Sequence, residues 1–127
     1  MGPDPSAHQH SPPPRRTPAP EPFPERLAES IAEYLHAIAE PHRIALLGAL
    51  AGGEASVQEL SDRVGLPYQN TSRHLIVLRQ AGILSRRKLG KANLYAIEDW
   101  SAWWVLGQIT SAMRSKQDEQ GTSASSE

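Results

Sequence analysis

Apolar residues recur at three- and four-residue spacings in five stretches of the chain, and a sixth reads as paired strands. From Glu25 to Ala39 the residues Leu27, Ile31, Tyr34, Leu35 and Ile38 fall on one face of a helix. Pro41 closes that helix and opens the next, where its missing N–H costs nothing. The second helix runs from about His42 to Ala51, with Ile44, Leu47 and Leu50 expected inward, and stops at Gly52-Gly53. Ser56-Val57-Gln58-Glu59 has the form of a capping box, a hydroxyl at the cap and a carboxylate three residues on. It opens a third helix with an inward stripe of Val57, Leu60 and Val64, ended by Gly65. A fourth helix is expected over residues 67–80, with Thr71, Leu75 and Leu78 inward and Gly82 at its end.

A hairpin follows. Ile83 to Arg87 is one strand, Lys88 to Lys91 the turn around Gly90, and Ala92 to Ile97 the return strand. Asp99 is placed to cap a last helix from Trp100 to about Arg114. That helix carries Trp100, Trp103, Trp104, Val105, Leu106, Ile109 and Met113, more apolar surface than one stripe needs.

Composition sets the limits of the folded part. Nine of the eleven prolines lie in residues 1–24, and from about Ser115 onward no large apolar residue occurs. Neither end can bury enough apolar surface to offset the entropy of ordering. The expectation is a disordered Pro-rich tail over 1–24, one domain over 25–115 and a disordered polar tail over 116–127. The fold class is mainly α with a small β-hairpin, in the order α-α-α-α-β-β-α. A short helix, a Gly turn and a second helix make a helix-turn-helix, and the hairpin makes it a winged helix. There is no cysteine, which removes disulfides and thiolate metal sites and fits a cytoplasmic protein. No apolar secretory core precedes the domain, and no apolar run is long enough to span a membrane.

Charge adds the functional signal. The chain has a formal net charge of -1. Yet from Arg63 to Ile97 there is no Asp or Glu, while Arg63, Arg73, Arg79, Arg86, Arg87, Lys88 and Lys91 all fall there. Segregation of that kind marks a surface that meets nucleic acid. With Thr71, Leu75 and Leu78 inward, the fourth helix presents Tyr68, Gln69, Ser72 and Arg73 outward, with Asn70 beside them. Gln reads adenine edges, Arg reads guanine, and Ser or Asn reaches bases or phosphate. Arg86, Arg87, Lys88 and Lys91 flank the hairpin turn and suit phosphate contact, although strand alternation sends them to different faces. Four to six phosphate contacts per subunit would give a steep salt dependence, with a log–log slope of about -0.9 per contact.

These residues resemble a known family. Ala39-Glu40-Pro41-His42-Arg43-Ile44 is similar to the opening of the second helix in the ArsR/SmtB family of dimeric bacterial transcriptional repressors. Leu60 to Leu66 resembles its helix-turn-helix entry, and Ser72 to Leu84 resembles its recognition helix and first wing strand. Lys88-Leu89-Gly90-Lys91 with Tyr95 resembles the wing, so the likeness covers roughly residues 27–112.

The resemblance implies a homodimer on double-stranded DNA, with an inverted-repeat operator. It implies that His74 is a structural or phosphate-contacting group. It also implies a dimer interface made by the first and last helices, for which Ile31, Leu35, Trp100, Trp103, Trp104, Leu106 and Ile109 are the candidates. The family's metal sites find no match. Ala55, Ser56 and Val57 stand where thiolates are needed, Ser101 stands where a histidine is needed, and no histidine follows Asp99. His8 and His10 in the tail make a poor selective site. No metal or cofactor is therefore expected, while a small-molecule effector bordering the Trp-rich helix stays open. The competing reading is a winged-helix interaction module whose basic face meets an acidic protein. An enzyme is not expected, because no nucleophile with base, carboxylate pair or Gly-rich phosphate loop occurs at useful spacing.

Overall fold

The computed structural model describes residues 24–125, with side chains described to residue 119. The expected tail over 1–24 lies, but for Pro24, outside the described residues. The chain divides into two compact units, Met1–Ser30 and Ile31–Glu127. Of the first, only the opening turns of a helix are described. The core belongs to the second.

The elements are α1 (Glu25–Ile38), α2 (Pro41–Leu50), β1 (Ala55–Ser56), α3 (Val57–Val64), α4 (Tyr68–Gln80), β2 (Leu84–Leu89), β3 (Ala92–Ile97) and α5 (Ser101–Ser125). Between α1 and α2, Glu40 is extended, as a residue before proline prefers, and its carboxylate accepts from Arg43 N at 3.0 Å. Pro41 sits in the first turn of α2, as expected.

Leu46, Leu47 and Leu50 of α2 are fully buried, whereas Ile44 is 42% exposed. The expected inward set of Ile44, Leu47 and Leu50 is thereby corrected. Ile44, Leu46, Leu47 and Leu50 together leave α2 apolar around most of its circumference, so spacing alone does not select the face that turns inward. Ala37 and Ile38 close the core from the last turn of α1, while Ile31 and Leu35 stay exposed.

The sheet has three strands in the order β1-β3-β2, all antiparallel. β1 is an addition to the expected hairpin. It consists of two residues, Ala55 opposite Tyr95 and Ser56 opposite Leu94, too short to show a period of two. The hairpin turn is tighter than expected. Lys88 and Leu89 belong to β2, and Leu89 pairs with Ala92 across a two-residue loop, Gly90-Lys91. Gly90 takes φ +63°, a conformation favouring glycine at the first loop position.

The C-terminal boundary also differs. α5 starts at Ser101 and continues through Ser125 rather than stopping near Arg114. Residues 115–120 are Ser, Lys, Gln, Asp, Glu and Gln, with no proline or glycine to end a helix, so local hydrogen bonds carry it on. Every described side chain from Gly107 to Glu119 is exposed. No helix among the described residues is long and apolar enough to cross a membrane.

Candidate nucleic-acid interface

The helix-turn-helix is fixed at each joint by its sequence. Ser56 Oγ accepts from Glu59 N at 3.1 Å, and Glu59 Oε1 accepts from Ser56 N at 2.8 Å, completing the capping box of α3. Gly65 ends α3 in the left-handed region, φ +70°. Ser61 is buried there and its hydroxyl donates to the Leu66 carbonyl, which fastens the turn to the helix it leaves. Thr71 is fully buried and its hydroxyl donates back to the Pro67 carbonyl at 3.0 Å.

Thr71, Leu75 and Leu78 form the inward stripe of α4, as their spacing predicts. After α4, Ile83 N donates to Leu78 O and Gly82 N to Arg79 O, the paired bonds that close a helix around a left-handed glycine. That closure aims the chain directly into β2.

The outer face of α4 then follows from helical geometry. Tyr68, Gln69, Asn70 and Arg73 are exposed and Ser72 is half-buried. Tyr68 is 49% exposed although it is a large aromatic residue. No side chain caps the N-terminus of α4, and its first turn holds no acid. Nothing on the helix itself competes with an approaching phosphate for those N–H groups.

His74 lies apart from the exposed residues of α4. It is half-buried and its Nδ1 lies 3.7 Å from Glu40 Oε2, with its ring 5.6 Å from that of His42. Position 74 adjoins the inward stripe, and the helix turns it toward the start of α2 rather than outward.

The four wing cations also separate. Arg86 pairs with Tyr95 and Lys88 with Asn93, so these two share one face of β2, while Arg87 is on the other. Arg87 is engaged by Glu54, Nε to Oε2 at 2.6 Å and Nη2 to Oε1 at 2.8 Å. This bidentate pair holds the Glu54 carboxyl below its ordinary range and raises Arg87. Arg87 is therefore not a free wing cation. Among the described residues, no carboxylate pairs with Arg73, Arg86, Lys88 or Lys91.

The dimer candidates form a second surface. Ile31, Leu35, Trp100, Trp103, Trp104 and Ile109 are all exposed, from 38% to 65%, and Leu106 is half-buried. Ile44 joins them. Two open apolar depressions, of about 380 and 240 Å³, share Ile44 and Leu106, one bordered by Trp103 and the other by Leu35 and Ile109.

Tyr34 of α1 ties this face to the start of α5. Its hydroxyl donates to Asp99 Oδ2 at 2.9 Å, and Asp99 Oδ1 accepts from Ser101 N at 3.0 Å. The Ser101 N–H and then the Tyr34 hydroxyl hold the Asp99 carboxyl below its ordinary range. Burial, followed by the bond to Asp99, pushes the Tyr34 hydroxyl up to about 12. Asp99 thus serves as cap of the last helix and as its tether to α1.

The roles of Glu54, Glu40, His42 and Ile44 are absent from the sequence expectations. Glu54 meets Arg87 across 33 positions, and Glu40 and His42 meet His74 only in space although their own contact is local, while Ile44 carried a local signal that pointed the wrong way.

Comparison with known proteins bears on the fold and the family. Residues 38–87 match a helix-turn-helix domain family. The chain is similar to the HTH-type transcriptional repressor SmtB of Mycobacterium tuberculosis, 34% identical over 80 residues, which are 63% of this chain and 59% of that one. It thus spans less than two thirds of that relative. It is 36% identical over 80 residues to the biofilm growth-associated repressor of Agrobacterium fabrum, covering 63% of this chain and 68% of the relative. Its fold is similar to the crystal structure of the transcriptional repressor BigR from Xylella fastidiosa. The TM-score there is 0.63 and the identity 30%, over 69% of this chain and 90% of that one.

Proposed function

The chain belongs to the ArsR/SmtB family of helix-turn-helix transcriptional regulators, and from that premise we propose that it is a homodimeric repressor of an inverted-repeat operator. The observation that carries this reading is the outer face of α4. It is polar and exposed at Tyr68, Gln69, Asn70 and Arg73, backed by the buried Thr71, Leu75 and Leu78, and followed by a wing whose Arg86, Lys88 and Lys91 have no carboxylate partner among the described residues.

The roles divide by chemistry. Gln69 and Arg73 are the base readers, through bidentate pairs to adenine and guanine, and Tyr68 lies against a base edge. Asn70 and Ser72 stay close to the backbone. Lys88, Lys91 and Arg86 meet phosphates without reading sequence. His74 acts behind this face, positioning α4 against α2.

The exposed apolar face of α1, α2 and α5 is the surface through which two copies join. A two-fold axis there sets two recognition helices about 34 Å apart, one DNA turn. Two bound subunits covering the operator exclude polymerase by occupancy, on cytoplasmic chromosomal DNA. The apolar depressions beside Trp103 and Ile109 are where a small apolar effector would enter and bias the dimer.

Selection of duplexes from a random pool by the full chain tests the reading. Recovery of an inverted repeat with half-sites one turn apart is expected. Gln69→Ala and Arg73→Ala should each relax one position of it, at a cost of about 1–3 kcal/mol. Recovery of no repeat, with binding to acidic protein surfaces instead, would overturn it in favour of an interaction module.

A further inference from the structure

Glu40, His42 and His74 meet at the junction of α2 and α4. Glu40 Oε1 lies 3.1 Å from His42 Nδ1, and Glu40 Oε2 lies 3.7 Å from His74 Nδ1. One ligand atom from each of the three residues can be chosen such that all lie within 4.8 Å of one another. We propose that these three side chains form a binding site for one divalent late transition-metal ion per chain, with zinc as the reference cation.

The donor set fits that chemistry. Two imidazoles and one carboxylate suit zinc, nickel or copper, whereas calcium and magnesium prefer oxygen alone. Bonds of about 2.0–2.2 Å around a tetrahedral ion place neighbouring ligand atoms roughly 3.4 Å apart. His42 and His74 approach different oxygens of Glu40, at 3.1 and 3.7 Å, and one ligand atom from each residue lies within 4.8 Å of the others, so side-chain rotation is what closes the set onto one ion. Three protein ligands leave the fourth position to water or to another small ligand.

The carboxylate is already oriented. Glu40 is the cap of α2, and the Arg43 N–H holds its Oε2 at 3.0 Å. A fixed hydrogen bond behind a ligand is the outer-shell support that metal sites use. Access is built in as well. The side chains of Glu40 and His74 are 26% and 23% exposed, while that of His42 is 51% exposed. The site differs from those of the resembled family in place and in ligands, since it lies neither at the start of α3 nor on α5. An ion there would fasten α4 to α2 across a gap of 34 positions in sequence. The inference does not rest on the DNA-binding reading, because metal binding is measured without DNA.

The full chain carrying His8→Gln and His10→Gln removes the tail histidines as competing ligands and serves as the parent. Zinc titration by calorimetry should give one site per chain, and cobalt should show the ligand-field absorption of a tetrahedral ion. His42→Ala, at an exposed side chain that the fold does not need, should weaken zinc at least about tenfold, as should His74→Gln. His36→Ala should change nothing. Zinc should raise the thermal midpoint of the parent and not that of His42→Ala. Equal zinc affinity in the parent and in His42→Ala, with unchanged circular dichroism in both, would overturn the site. So would the absence of any zinc-dependent shift in the parent.

Discussion

Replacing Glu54 with glutamine should steepen the salt dependence of DNA binding, and replacing Lys91 with alanine should flatten it. Arg73, Arg86, Lys88 and Lys91 lack a carboxylate partner among the described residues, while Arg87 is held by both oxygens of Glu54. With Arg73 reading a base, the three wing cations Arg86, Lys88 and Lys91 give about six phosphate contacts per dimer and a log–log slope of about -5. Raising salt from about 50 to 200 mM then lowers affinity by a factor on the order of 10³. Lys91→Ala removes about two contacts per dimer, and the same change in salt costs roughly 10². Glu54→Gln releases Arg87, adds about two contacts, and the loss grows to roughly 10⁴.

Fluorescence anisotropy of a labelled operator duplex across a potassium chloride series measures all three slopes. A random duplex run in parallel separates wing from helix. Lys91→Ala should shift both duplexes alike, because phosphate contacts carry no sequence. A Glu54→Gln slope equal to that of the wild type would refute the claim that the ion pair withholds Arg87 from DNA. A Lys91→Ala slope equal to that of the wild type would refute the wing contact itself.

Leu75→Ala, at a fully buried position behind the recognition face, should lower stability by about 2–5 kcal/mol in urea unfolding at fixed protein concentration. Ile109→Glu should convert the dimer to monomer in sedimentation and lose operator binding while its circular dichroism is retained. A variant that stayed dimeric would move the interface elsewhere. The Ser101 N–H and the Tyr34 hydroxyl hold the Asp99 carboxyl below its ordinary range, so its contribution to stability is complete above about pH 4 and fades as pH falls through the folded value. Asp99→Asn should flatten that acid limb of the urea midpoint. Tyr34 is raised from 10.0 to about 12, so its contribution is complete below pH 10 and lost as pH rises towards 12. Tyr34→Phe should remove that alkaline limb.

What the sequence revealed of this fold follows the range of the interactions involved. The stripe of α4 was legible because Thr71, Leu75 and Leu78 stand out against polar neighbours at helical spacing. The capping box of α3 was legible because both of its bonds lie within four residues. α2 was misread because Ile44 and Leu46 are both apolar, and only packing decides which of them faces the core. β1 carried no signal, since its two residues become a strand only by meeting Tyr95 and Leu94. The acid-free stretch overstated the free charge of the wing for the same reason. Glu54 lies outside it by nine positions but reaches Arg87 in space. The Glu40–His42–His74 cluster was hidden likewise, because His74 read as a recognition-helix residue and meets Glu40 and His42, far from it in sequence, only in space.

The last helix shows how these pieces depend on one another. α5 runs from Ser101 to Ser125, yet Ala102 is its only buried side chain among the described residues, with Val105 and Leu106 half-buried. A helix in water draws most of its stability from packing an apolar face, and the buried and half-buried side chains of α5 all lie within its first two turns. Trp103, Trp104, Ile109 and Met113 nonetheless continue the apolar surface outward at 40% to 65% exposure. Contiguous apolar surface of that kind is rare on a protein that works alone. The same helix is fastened at its start through Asp99 to Tyr34 of α1, so the two helices proposed to form the interface are held as one unit before a partner arrives. A second copy covering that unit would stabilise the outer turns of α5. It would also fix the distance between two copies of α4, so that the apolar excess at one end of the sequence and the cation excess in its middle serve the same geometry.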